Sequence, residues 1–170
     1  MPMKTVLVVG NPKPQSRTLD AALRLAGMLG AQDPMAIDVA TLGAGLLGWG
    51  DDNVRAAVEK VASADLAVFA SPTYKATYTG VLKLFLDQFA GGDGLRGVVA
   101  VPLMLGAGTA HAMAPELHLK PVLVELGAIC PVPSVYQLDT AYTDDPALVD
   151  WVSRWSPVIT SLAAQTERNF

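Results

Sequence analysis

One cysteine, Cys130, stands in 170 residues, which excludes an internal disulfide and a cysteine-built zinc cage. Charge is scarce as well. Asp, Glu, Lys and Arg make up 16% of the chain, and 12 basic against 16 acidic residues leave a net charge of -4. A nucleic-acid binder that works by neutralising phosphates shows the opposite balance. No stretch approaches the ~18 uninterrupted apolar residues of a membrane span, and the apolar run within residues 1–10 is too short for a signal peptide. A cytoplasmic location is therefore expected. What is abundant is apolar character, 51% of residues, which excludes a disordered chain and suits a single domain over residues 1–170. A mean hydropathy of +0.35 is high for a soluble chain and predicts apolar surface covered in an oligomer.

Strand-like and helix-like segments alternate. Residues 5–9 (TVLVV) are a β-branched apolar run stopped by Gly10, the pattern of a strand buried on both faces. Ser16 opens a helix through 29, closed by Gly30. A second strand is expected over 35–41, with 43–50 as its glycine-rich exit loop. Asp51 and Asp52 precede the amphipathic run Val54, Ala57, Val58, Val61, and their charges suit a helix N-terminus. Further strands are expected over 65–70 (halted by Ser71-Pro72), 97–105 and 128–135. Pro131 and Pro133 cannot donate to a ladder and make the last an edge or bulged strand. Helices are expected over 80–89 and 110–126, and after Asp145-Pro146, proline being favoured at the first helical position. Apolar strands separated by helices describe a parallel α/β sheet with right-handed crossovers, covered on both faces. Ligands of such sheets lie beyond the strands' carboxyl ends, where strand order reverses, which singles out loops 10–16, 71–79 and 106–111.

The first loop, GNPKPQSRT, joins a buried strand to a helix start, where free amides and the helix dipole favour an anion. Asn11, Lys13, Ser16, Arg17 and Thr18 supply side-chain donors for a phosphate, or else Ser16 is an ordinary N-cap between exposed cations. The loop matches neither GxxxxGK[ST] nor GxGxxG, which disfavours a nucleoside triphosphate and a standard dinucleotide site. In the second loop, Tyr74 and Tyr78 offer a flat wall while Ser71, Thr73, Thr77 and Thr79 offer hydroxyls, a combination suited to a planar heterocycle or to a subunit contact. The third, GAGTAH, permits close backbone approach by a ligand or simply a turn. His111 is an acid–base candidate by residue type, more commonly a helix-start or interface histidine. His118, with no carboxylate partner at ligand spacing, makes no metal site with it.

The phosphate loop, SPTYKATYTGVLKLFLD, and GAGTAH followed by HLKPVL together resemble the NADPH-dependent FMN reductases over residues 3–136. Within them the chain is most similar to reductases that supply reduced flavin to alkanesulfonate-type monooxygenases. The resemblance implies a flavodoxin-like, doubly wound five-stranded sheet of order 2-1-3-4-5, and FMN and NADPH (or NADH) as ligands. It implies phosphate contacts at Ser16, Arg17 and Thr18, and ring contacts at Pro72, Thr73, Tyr74 and Lys75, largely through backbone. Further contacts are implied at Gly106, Gly108 and Thr109. Asn11 and Lys13 stand where members often carry Ser and Arg, and lysine lacks the bidentate fork of arginine. The family's fourth helix lies at a tetramer interface, in some members with a π-bulge. Here Pro121 has no N–H for Leu117, so either a π-turn near His118 or a kinked α-helix is expected. Val81, Leu82, Leu84, Phe85, Leu86 and Phe89 cover most of the third helix's circumference, which also points to a homotetramer or homodimer.

The resemblance makes the chemistry the cofactor's, so no catalytic side chain is required. The amides of 73–75 and the Lys75 charge are the candidates for stabilising the flavin N1–C2 edge. A flavin-dependent monooxygenase is the implied partner. Two rivals share the fold: a quinone or azo reductase with tightly held FMN, and a flavodoxin-like electron carrier. Carriers are usually much more acidic than -4. Cys130 reads as a small buried apolar residue, Trp151 and Trp155 as packing for the last helix, and Trp49 as a cover for a ligand or partner.

Overall fold

The computed structural model describes residues 3–166. Five strands, β1 (Thr5–Val9), β2 (Met35–Asp38), β3 (Leu66–Pro72), β4 (Val99–Gly106) and β5 (Val135–Leu138), pair in parallel in the order 2-1-3-4-5. Helices α1 (Arg17–Met28) and α5 (Pro146–Thr166) cover one face; α2 (Asp52–Ala62), α3 (Gly80–Leu86) and α4 (Lys120–Glu125) cover the other. Strand residues alternate between two cores. Val6, Val8, Ala67 and Phe69 pack toward α2, α3 and α4, while Leu7, Val9, Leu66 and Val68 pack toward α1 and α5. That double burial is why the central strands β1, β3 and β4 lack any polar alternation. No described helix is long and apolar enough to cross a membrane.

The caps are those the sequence announces. Ser16 Oγ accepts from Leu19 N at 3.4 Å, Asp51 accepts from Asn53 and Val54, and Asp145 accepts from Ala147 at the start of α5. Trp151 and Trp155 pack α5 onto the core, Trp151 also donating to the Pro133 carbonyl at 3.0 Å.

Several boundaries differ from expectation, each for a local reason. β2 ends at Asp38, and Val39–Leu47, expected as strand end and open loop, winds into 3₁₀ turns that return the buried Val39 and Leu46 to the core. β3 runs on through Ser71 and Pro72, because they pair with Met104 and Leu105; the missing proline N–H falls at the strand's end. α3 stops at Leu86, short of Phe89. Residues 128–135 do not form the last strand. Ile129 makes one isolated bridge to Val99, Pro131 and Pro133 interrupt, and the ladder begins only where Val135 meets Leu103. Cys130 is thus half-buried outside any strand, not a fully buried strand residue.

The helix expected over 110–126 is three pieces: a 3₁₀ turn at Thr109–His111, a π-helical turn at Pro115–Leu119, and α4. Of the two forms open for the Pro121 region, the wide turn is the one adopted. Lys120 N donates to Pro115 O, five residues back, with His118 inside the turn.

Candidate functional site

A cleft of about 530 Å³ opens at the carboxyl end of the sheet, where the order reverses between β1 and β3. This lies within the ~300–1,000 Å³ typical of small-molecule sites. Another cavity of about 530 Å³, near Thr5 and Met35, sits at the opposite, amino end of the strands.

One wall is the β1–α1 loop. Asn11, Lys13, Ser16, Arg17 and Thr18 all line the cleft, together with Gln15. The loop is braced internally: Asn11 donates to Thr18 Oγ1 at 3.1 Å and accepts from Lys13 N at 2.9 Å. Gln15, held at φ 52, donates its amide to the Asp38 carboxylate at 2.9 Å. Among the described residues the amides of Ser16, Arg17 and Thr18 donate to nothing. They lie at the positive end of a twelve-residue helix, a ready set of donors for an anion.

The opposite wall is Pro72, Thr73 and Tyr74, with Leu105, Gly106 and Ala107 as the floor. Tyr74 and Thr77 exchange backbone hydrogen bonds (2.8 and 3.2 Å) around Lys75 and Ala76, at φ 51 and 68. Two successive positive φ values make this a type I′ turn built without glycine. The Thr73 amide is spent on Leu105 O at 2.7 Å and the Tyr74 amide on Thr77 O. Among the described residues the donors left free in this turn are the amides of Lys75 and Ala76, so of the expected 73–75 set only the Lys75 amide is open. Thr73 Oγ1 is buried with no hydrogen-bond partner among the described residues, yet belongs to a cleft-lining side chain. A buried orphan hydroxyl costs free energy unless something meets it. Gly106 sits where it must: a Cβ there would lie 1.9 Å from Tyr136 Oη, the hydroxyl that donates to Gly108 O at 2.6 Å.

Not every expected residue lines the cleft. Lys75 is exposed on the turn, and Gly108 and Thr109 lie just beyond the floor. His111 and His118 are exposed away from the cleft, and Trp49, 77% exposed, covers nothing in it. Asp139 and Leu105 are cleft residues outside the loops the sequence singled out, while Gln15 and Ala107 lie within those loops without having been named. Asp139 follows β5, and its position there, at a carboxyl strand end, was the available signal. It accepts from Arg17 through its carbonyl at 3.0 Å and pairs with it through its carboxylate at 3.4 Å.

An open anion cradle beside a slot lined by Pro72, Thr73, Tyr74 and Leu105, at the switch point of a 2-1-3-4-5 sheet, places the chain in the flavodoxin-like class. The chain belongs to the NADPH-dependent FMN reductase family, whose model matches residues 3–143. It is 32% identical over 139 residues to FMN reductase (NADPH) of Pseudomonas aeruginosa, covering 75% of this chain and 73% of the relative. Against FMN reductase (NADPH) of Escherichia coli it is 36% identical over 96 residues, covering 56% of this chain but about half (47%) of the relative. Among solved structures, an apo NADH:FMN oxidoreductase superposes with a TM-score of 0.81 at 27% identity, over 96% of this chain and 89% of that one.

Proposed function

We propose that the protein transfers reducing equivalents from NAD(P)H to FMN, which binds with its phosphate at the start of α1 and its ring between Pro72–Tyr74 and Leu105–Ala107. The observation that carries this is the joining of two unlike subsites in one cleft: open amides with Arg17 and Lys13 on one side, and the orphan Thr73 hydroxyl beside a close backbone floor on the other. FMN has the matching halves, a dianionic phosphate and a flat heterocycle with a polar rim.

When bound, FMN supplies the hydride-accepting ring. The protein's own tasks are positional. Ser16, Arg17 and Thr18 fix the phosphate; Thr73 meets the ring's polar edge, where negative charge develops, with the free amides of Lys75 and Ala76 in the turn beside it. Gly106 keeps the floor flat. In this reading the chemistry belongs to the cofactor, and no side chain has to take or give a proton at the reacting atoms.

The finer expectations belong to the same proposal. The exposed Met113, Leu117 and Val124, spaced for one helical face with Pro121, form an apolar stripe along the π-turn and α4. We take a second copy of this chain to cover it, giving a homodimer or homotetramer, since a two-fold axis sets one apolar patch against the same patch of the other copy. A cytoplasmic location and a flavin-dependent monooxygenase as the consumer of reduced FMN complete the reading. The decisive experiment is NADPH and NADH consumption with and without added FMN. Saturable, FMN-dependent oxidation is expected, and oxidation no faster than the flavin blank overturns the proposal.

A further inference from the structure

The Arg17–Asp139 pair spans the phosphate end of the cleft. Arg17 Nη1 donates to the Asp139 carbonyl at 3.0 Å, and its Nη2 lies 3.4 Å from the Asp139 carboxylate. Both residues line the cleft, so an anion arriving at the start of α1 meets a guanidinium whose donors are partly engaged and whose charge is partly offset. It also meets a carboxylate on the same wall. Lys13, by contrast, makes no ion pair among the described residues. The Asp139 backbone has a separate duty, its amide donating to Gly106 O at 3.0 Å. Removal of the side-chain charge therefore leaves the loop's anchor in place.

Resting on the functional reading above, we infer that Asp139 is a specificity-determining residue that weakens the hold on the phosphate, so that FMN behaves as an exchangeable substrate and not as a retained prosthetic group. Two effects act in the same direction. The carboxylate competes with the phosphate for the Arg17 fork, and it repels the phosphate directly across a partly desolvated cleft. Phosphate binding has to break the ion pair or share its donor, and that cost is returned when the nucleotide leaves. A ligand without the phosphate does not experience this competition, so the residue acts on FMN and not on riboflavin. Net attraction remains, through the open amides and Lys13, which is why the device tunes residence and does not abolish binding.

The test measures FMN and riboflavin affinity by quenching of flavin fluorescence, and FMN release by stopped flow, in the wild type, Asp139→Asn, Arg17→Met and the double variant carrying both substitutions. For Asp139→Asn the expected result is FMN binding tighter by about threefold to tenfold, carried mainly by slower release, with riboflavin affinity unchanged. In an Arg17→Met background the same substitution gives a smaller gain, because only direct repulsion is left to relieve. Asp139→Asn keeps the side chain's shape, and its melting curve matched to wild type separates the effect from misfolding. Equal or weaker FMN binding by a folded Asp139→Asn, while the wild type binds FMN, overturns the inference alone. An equal gain for riboflavin overturns it too, since the effect would then not be on the phosphate. Failure of every form to bind FMN overturns the functional reading and the inference with it.

Discussion

The hydroxyl of Thr79 donates to the carbonyl of Gly10, across 69 residues of sequence. The same oxygen accepts from Leu82 N at 3.1 Å, and the Thr79 amide donates to Ser71 Oγ at 3.0 Å. One buried residue thus caps α3 and reaches the end of β1 through its side chain and the end of β3 through its amide, the two strands that bracket the cleft. Gly10 permits the approach: a Cβ there would sit 2.3 Å from Leu82 Cβ.

Replacement Thr79→Val removes both bonds while keeping the shape. The loss of an N-cap and of a buried partner for a carbonyl should lower stability by about 1–3 kcal/mol. Chemical denaturation checks this, with FMN affinity falling in parallel because the loop starting at Gly10 loses its tether. Thr79→Ser should recover most of the stability.

Thr73→Val should behave in the opposite way. Its buried hydroxyl has no partner among the described residues, so its removal leaves the melting temperature unchanged or slightly raised. FMN affinity should drop by about threefold to tenfold if the ring's polar edge is what that hydroxyl meets. A variant less stable and equally able to bind FMN would remove Thr73 from the site.

Gly106→Ala brings a methyl group onto Tyr136 Oη and Cζ and near Thr73 Oγ1. The ring of Tyr136 must swing away and give up its bond to Gly108 O. Overpacking of this kind costs about 1–3 kcal/mol, read as a lower melting temperature. NADPH oxidation with FMN should fall by more than stability alone explains, because the cleft floor has risen.

Acid should weaken the π-turn region. Burial pushes the Glu116 carboxyl up, but hydrogen bonds from Lys120 and Ser134 outweigh it and hold the group below its ordinary value of 4.5. A carboxyl lowered in the folded state contributes stability above its unfolded pKa and loses it as pH falls through the folded one. Glu116→Gln should therefore cost stability at neutral pH and show a shallower loss below about pH 4.5, in denaturation curves taken across that range.

Burial pushes the Cys130 thiol up to about 11. Almost none of it is thiolate at pH 8, so labelling by a disulfide reagent should be slow in the native protein and speed up greatly in denaturant. Labelling at the same rate in both states would contradict the environment described for it.

The architecture was legible because the three central strands, β1, β3 and β4, are apolar runs punctuated by Gly, Pro or a cap, and because parallel sheets bury both faces. The β1–α1 loop was legible for the same reason: it is a strand, a short loop and a capped helix in sequence. What escaped was non-local. Asp139 gives no sign in its own neighbourhood that it meets Arg17, 122 residues away. The amides of Thr73 and Tyr74 looked available until the I′ turn and β4 were seen to use them. Local propensity also misjudged residues 128–135, where strand-forming Ile129 and Val132 are outweighed by two prolines that shift the ladder to Val135.

The pairing order has a consequence for how the chain matures. β1 lies between β2 and β3, so its second neighbour is not made until some sixty residues later, at Leu66. During synthesis or refolding, an N-terminal half ending before that point holds β1 with one edge bare and no opposite wall for a nucleotide. Flavin added early to a refolding reaction should therefore find nothing to bind until long-range pairing is complete, the slow class of event in parallel sheets.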